Sequence, residues 1–113
     1  PASGPVILEA YNINMTSVFV RWNKSSIPKE DWNGMPRGFR VHGQGKPCTS
    51  YHVPPNDVGL NVSSFTVTGL QAWVVYIVKI SGVTSPGHGV ASEVRVKTND
   101  SGIIFHSLLS CSK

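Results

Sequence analysis

The sequence predicts an all-β protein, a seven-stranded antiparallel β-sandwich. Three observations carry that expectation. Short runs rich in β-branched and aromatic residues recur along the chain, at 6–11 (VILEAY), 17–22 (SVFVRW), 39–42 (FRVH), 64–68 (SFTVT), 76–81 (YIVKIS) and 92–98 (SEVRVKT), with a weaker one at 50–53 (SYHV). Turn-forming clusters separate them: NINMT, NKSSIPKEDWNGMPRG, GQGKP, VPPNDVG and TSPGHG. Eight Pro and eleven Gly punctuate the chain, and no 11-residue window keeps a helical period. Seven short strands in about 100 residues make a sandwich.

Alternation assigns the faces of each run, because successive strand side chains point to opposite sides. The first run contributes Leu8 to the core. In the second, Val18, Val20 and Trp22 point inward, leaving Phe19 and Arg21 outside. Phe39 and Val41 fill the third, and Phe65 and Val67 the run at 64–68. In the sixth, Tyr76, Val78 and Ile80 share the inner face, while Ile77 and Lys79 lie outside. The last run buries Val94 and Val96 and exposes Glu93, Arg95 and Lys97. With Leu70, these apolar positions form one predicted core.

Length and charge bound the function. A chain of 113 residues holds one core, and 14% charged residues suit a compact domain. A net charge of +4 is spread along the chain without the concentrated basic stretch of a nucleic-acid binder. No apolar run is long enough to span a bilayer. The chain starts at Pro1 without Met or a signal peptide, so it is expected to be a piece of a longer protein. Catalytic signatures are missing. The four His and six carboxylates form no His-x3-His, Cys-x2-Cys or Asp-x-Asp cluster, so no metal or cofactor is expected. In GQGKPCT, Pro47 follows the Lys where a phosphate loop needs Ser or Thr to open its helix. There is no Gly-x-Ser-x-Gly elbow and no Cys/His nucleophile pair. The fragment is expected not to be an enzyme, whatever catalytic domain a parent protein carries elsewhere.

The pattern G-L-x5-Y-x-V-x-I at 69–80, with Trp22 upstream and G-x-G-x2-S-x-V-x-V-x-T at 87–98, resembles the fibronectin type III family over residues 5 to about 99. That resemblance implies the immunoglobulin-like sandwich topology and a tyrosine corner, in which Tyr76 follows Leu70 and returns its hydroxyl to the backbone upstream. The tract PKEDWNGMPRGFRV is similar to the B–C loop and C strand of such domains in adhesion molecules and receptor tyrosine phosphatases. Ala72, where the family often has Pro, and the large Trp73 depart from the pattern. Arg-Gly-Asp is missing from 82–91, and so is Trp-Ser-x-Trp-Ser before the last strand. The resemblance therefore implies a non-catalytic interaction or spacer module of a cell-surface adhesion molecule or receptor, outside the cell or secreted, whose partners are other cell-surface or matrix proteins.

Several residues stand out as candidates. Asn14, Asn23, Asn61 and Asn99 each open an Asn-x-Ser/Thr glycosylation triplet, where the 7 Asn and 20 Ser plus Thr would give about one by chance. Trp32, Met35 and the 82–91 loop are contact candidates at the pole shared by the B–C and F–G loops. Trp32 has a second reading, as a plug held between Pro28 and Pro36 that orders its loop. In the family's sheet order, strands C, F and G are neighbours, which brings Arg40, His42, Lys79, Arg95 and Lys97 onto one outer face. That patch, about 10 Å square by strand spacing and offset only by Glu93, suits the sulfates of heparan sulfate. The alternative is a charged face kept for solubility. Cys48 and Cys111 are either bridged, since the family topology brings their segments to one pole, or two separate thiols. Residues 1–100 make the domain. Residues 101–113 are an apolar extension too short to cross a membrane, which packs on the domain, makes a partner contact, or is flexible or not native.

Overall fold

The structure is a computed structural model that describes residues 3–32, 34–46, 52–72, 74–85 and 87–98. Asn99, Trp73, Cys48, Cys111 and the 101–113 extension lie outside the described residues.

Seven strands form two sheets. β1 (Val6–Asn14), β2 (Ser17–Asn23) and β5 (Ser64–Val67) make a three-stranded sheet in the order β1-β2-β5. β3 (Gly38–Lys46), β4 (His52–Gly59), β6 (Val75–Thr84) and β7 (Gly87–Lys97) make a four-stranded sheet in the order β4-β3-β6-β7. Every pairing is antiparallel. The fold is the all-β antiparallel sandwich expected from the run of strands.

Between the sheets lies an apolar layer built by alternation. In β2, Val18, Val20 and Trp22 are buried, and in β6 so are Tyr76, Val78 and Ile80. Phe39 and Val41 of β3 complete its centre. The Trp22 and Phe39 rings lie 5.7 Å apart, tilted at 59°. Ile27, Val53 and Val74 join this core, and Phe65 and Val94 are half-buried against it. The alternation did not expose those three, because each lies at the edge of, or between, the regular runs.

Four expectations need correction. Leu8 is exposed, and its neighbour Ile7 packs on the core. The cause is a bulge. Ile7 pairs with Trp22 and Glu9 with Arg21, so Leu8 has no partner in the register and is turned out. Second, VPPNDVG is mostly strand rather than turn. β4 runs through Pro54 and Pro55 because it is an edge strand, where a missing N–H costs little. Both prolines fall in a second irregularity, between the Val41–Asn56 and Gly43–Val53 pairs. Third, 82–91 is not a long loop. Thr84 pairs with Gly87, and the Thr84 hydroxyl donates to Gly87 O at 3.3 Å, so β6 and β7 meet in a tight hairpin. Fourth, GQGKP does not end β3 at its first glycine. Gly43 lies inside the strand, and a Cβ there would run into the Ile77 carbonyl, so the glycine permits close approach rather than a turn.

Beyond β5 the chain turns at Gly69, in the left-handed region with φ 71°. Leu70 is buried, and its N–H donates to Thr16 O at 3.0 Å, tying this corner to the β1–β2 turn. The Gln71 N–H donates to the Tyr76 hydroxyl at 2.9 Å. Thr98, buried beside it, donates its hydroxyl to Gln71 O at 2.9 Å and accepts the Val74 N–H at 3.1 Å. One end of the sandwich is thereby closed by hydrogen bonds between segments far apart in sequence.

Candidate functional site

The outer face of the four-stranded sheet carries the densest chemistry among the described residues. Strand register sets its layout. Arg40 of β3 stands opposite Asp57 of β4 and Ser81 of β6. One row along, His42 faces Lys79, and Lys79 faces Glu93 of β7. Arg95 faces Ile77 in the next row, and Lys97 faces Val75 in the row after that. The five basic candidates therefore share a face, but as a diagonal rather than a compact square. Three steps of two residues separate Arg40 from Lys97, about 20 Å along the strands and about 10 Å across them. A shallow depression lined by Ile77, Glu93, Val94 and Arg95 lies beside this diagonal.

The charges are also less bare than the sequence implied. Arg40 Nε and Nη2 donate to the two carboxylate oxygens of Asp57 at 2.6 and 3.0 Å. Those bonds hold the Asp57 carboxyl below the usual carboxylate range and raise the Arg40 guanidinium above its ordinary value. Lys79 Nζ lies 4.0 Å from Glu93 Oε2. Glu93 is thus not the sole offset. Asp57 was missed because it sits in VPPNDVG, taken for a turn.

His42 is perturbed as well. Burial pushes its pKa below 6.5, and His88, Lys79 and Arg40 push it the same way by charge repulsion. Its Nε2 is buried and meets no hydrogen-bond partner among the described residues. The His88 ring stands edge-on to it, 5.4 Å between centroids, with His88 Nδ1 3.4 Å from the Ser81 hydroxyl. His88 was hidden in TSPGHG, and the tight hairpin brings it onto the sheet face. Among the described residues no group of three His, Cys, Asp or Glu is arranged to hold a metal ion, and no helix is long and apolar enough to cross a membrane.

The other candidates separate. Trp32, 7% exposed, follows the 3-10 turn Lys29–Asp31 and sets its ring edge-on to Phe39 at 5.9 Å. It is a plug under the loop and not an exposed contact residue. Met35 is 74% exposed. Asn14 ends β1, Asn23 ends β2, and Asn61 lies in the turn after β4; all three are exposed. None of them lies on the four-stranded sheet.

The comparisons agree with this architecture. The fibronectin type III domain family matches residues 3–98. Protein sidekick-2 of Mus musculus is 34% identical over 92 residues, which is 81% of this chain and 4% of that protein. Receptor-type tyrosine-protein phosphatase F of Homo sapiens is 29% identical over 102 residues, 87% of this chain and 5% of that one. The chain thus spans about one twentieth of the length of these relatives, which are cell-adhesion and receptor proteins. Among solved structures, the FN1–FN3 domains of chicken CNTN1 superpose with a TM-score of 0.72 at 15% identity, covering 88% of this chain and 31% of that one. The FN5 domain of Drosophila Lar gives 0.61 at 26% identity, covering 88% of this chain and 100% of that one. Sequence match, strand order and corner chemistry converge: the chain belongs to the fibronectin type III family.

Proposed function

We propose that this domain is a non-catalytic protein-interaction module of a cell-surface adhesion molecule or receptor, lying outside the cell, and that its partner docks on the outer face of the four-stranded sheet. One observation carries the choice of face. The strand register gathers Asp57, Arg40, His42, His88, Lys79, Glu93 and Arg95 on a single open surface. Cross-strand pairs of opposite charge give such a face an alternating pattern, which confers specificity more than raw affinity. The kinship with adhesion and receptor proteins supports the extracellular setting.

A second reading is heparan sulfate binding, favoured by the one-residue-per-row diagonal of Arg40, Lys79, Arg95 and Lys97, which suits a linear polyanion. The Asp57 and Glu93 carboxylates weigh against it.

One experiment separates the two readings. The domain is displayed as a multimer and used to stain adherent animal cells that have been left intact, treated with protease, or treated with heparinase. Protein docking predicts staining that protease removes and heparinase leaves. Heparan binding predicts staining that heparinase removes, with retention on heparin well beyond a cation exchanger of matched charge density. Under either reading, Lys79→Ser with Arg95→Ser reduces staining. Staining unchanged in that double variant overturns the choice of face, and no staining on any cell type leaves the domain a spacer.

A further inference from the structure

We infer that Asn14 and Asn61 carry N-linked glycans, and that these sugars cover the exposed apolar side chains on either side of each. The inference rests on the extracellular reading above, since this modification belongs to the secretory pathway. Its structural basis is a coincidence of two independent features. Nine large apolar residues are exposed among those described, and four of them flank these two asparagines. Ile13 and Met15, 50% and 40% exposed, bracket Asn14; Leu60 and Val62, 39% and 38% exposed, bracket Asn61. An N-linked glycan is far larger than the spacing of about 3.8 Å between adjacent Cα atoms, so we take its footprint to extend over both neighbours of its asparagine. A glycan at each asparagine would shield the two apolar side chains beside it from water. Asn23 is the internal contrast, because its neighbours are buried Trp22 and the charged, exposed Lys24.

Both sites accept the modification without losing a bond. Asn14 Oδ1 accepts the Thr16 N–H at 2.9 Å and the Thr16 hydroxyl at 3.3 Å, which leaves Nδ2 outside the turn's hydrogen bonds. At Asn61 the Lys24 ammonium donates to the backbone oxygen at 3.2 Å, not to the side-chain amide. In the transfer, Nδ2 bonds to C1 of the first sugar of a lipid-pyrophosphate-linked oligosaccharide. The C1–O bond to pyrophosphate breaks, the lipid pyrophosphate leaves with that electron pair, and Nδ2 gives up one proton. Asn14 ends a strand of the three-stranded sheet, and Asn61 lies in the turn from β4 into β5, so neither stands within the proposed docking face.

The test secretes residues 1–113 from animal cells behind a cleavable leader and maps the asparagines by mass spectrometry. Glycan removal with an amidase in heavy-oxygen water marks each occupied asparagine as a labelled aspartate. The expected result is label at Asn14 and Asn61. Retention on a hydrophobic-interaction column should also shift later after deglycosylation. Thr16→Ala and Ser63→Ala, which remove the triplets but keep the asparagines, should each reproduce part of that shift. Ser25→Ala, which removes the Asn23 triplet, should not. Unlabelled Asn14 or Asn61 in the secreted folded protein overturns the site assignment. Label without a retention shift overturns the covering role. Neither result depends on the cell-staining outcome, so failure here and failure of the docking reading are distinguishable.

Discussion

Replacing Trp32 by Ala is the sharpest test of the loop at the B–C pole, because its two roles predict opposite outcomes. The side chain is 7% exposed and its ring meets Phe39 at 5.9 Å in an edge-on arrangement. Truncation to Ala gives up about 150 Å² of buried apolar area, which at about 25 cal/mol per Å² amounts to about 4 kcal/mol. Large-to-small aromatic substitutions in cores cost about 3–5 kcal/mol, and a loop able to collapse into the gap lies near the lower figure. The expected destabilisation is therefore about 3 kcal/mol, a large share of the about 5–15 kcal/mol that holds a domain together. Urea unfolding followed by far-UV circular dichroism measures it. The midpoint should fall with an unchanged slope, and Trp32→Phe should recover part of the loss. A loss below about 1 kcal/mol would refute the plug.

Three further outcomes follow from the hydrogen bonds and charges. Tyr76→Phe deletes the acceptor of the Gln71 N–H and should cost about 1–2 kcal/mol in urea unfolding; no loss would mean the corner is held by burial alone. His42 has a folded pKa below 6.5, so the unfolded chain binds its proton first as pH falls. Stability should be full above pH 6.5 and decline between there and the lower folded pKa. His42→Gln should flatten that decline, and a decline of equal depth in the variant would assign it to another group. Asp57 acts in the same sense at lower pH: its folded carboxyl is held down by Arg40, so its contribution is lost as the carboxylate protonates. Asp57→Asn breaks a surface ion pair and should cost only about 0.2–1 kcal/mol. If heparan sulfate is the ligand, the same change should move elution from heparin to higher salt, and unchanged elution counts against that reading.

Local alternation was enough to read strand identity and most of the core. Val18, Val20 and Trp22, and Tyr76, Val78 and Ile80, are buried as their period of two requires, because a regular strand between two sheets has one inner face. The tyrosine of the corner was legible through the family resemblance, and the Gln71 N–H does donate to its hydroxyl. What escaped the sequence depended on partners distant in the chain. The bulge that turns out Leu8 is defined only against Trp22 and Arg21 of β2, and no property of VILEAY reveals it. Pro54 and Pro55 read as a turn until β4 is placed at a sheet edge. Trp32 carries the same side chain as plug or as contact, and the proximity of Phe39 decides between them. The charged face shows the division most clearly. Alternation put Arg40, His42, Lys79, Arg95 and Lys97 outside, but only cross-strand register set them on a diagonal, gave Arg40 its Asp57 and laid His88 against His42. Side-chain direction is a local property of the backbone, whereas charge pairing and desolvation depend on distances that exist only after the strands have paired.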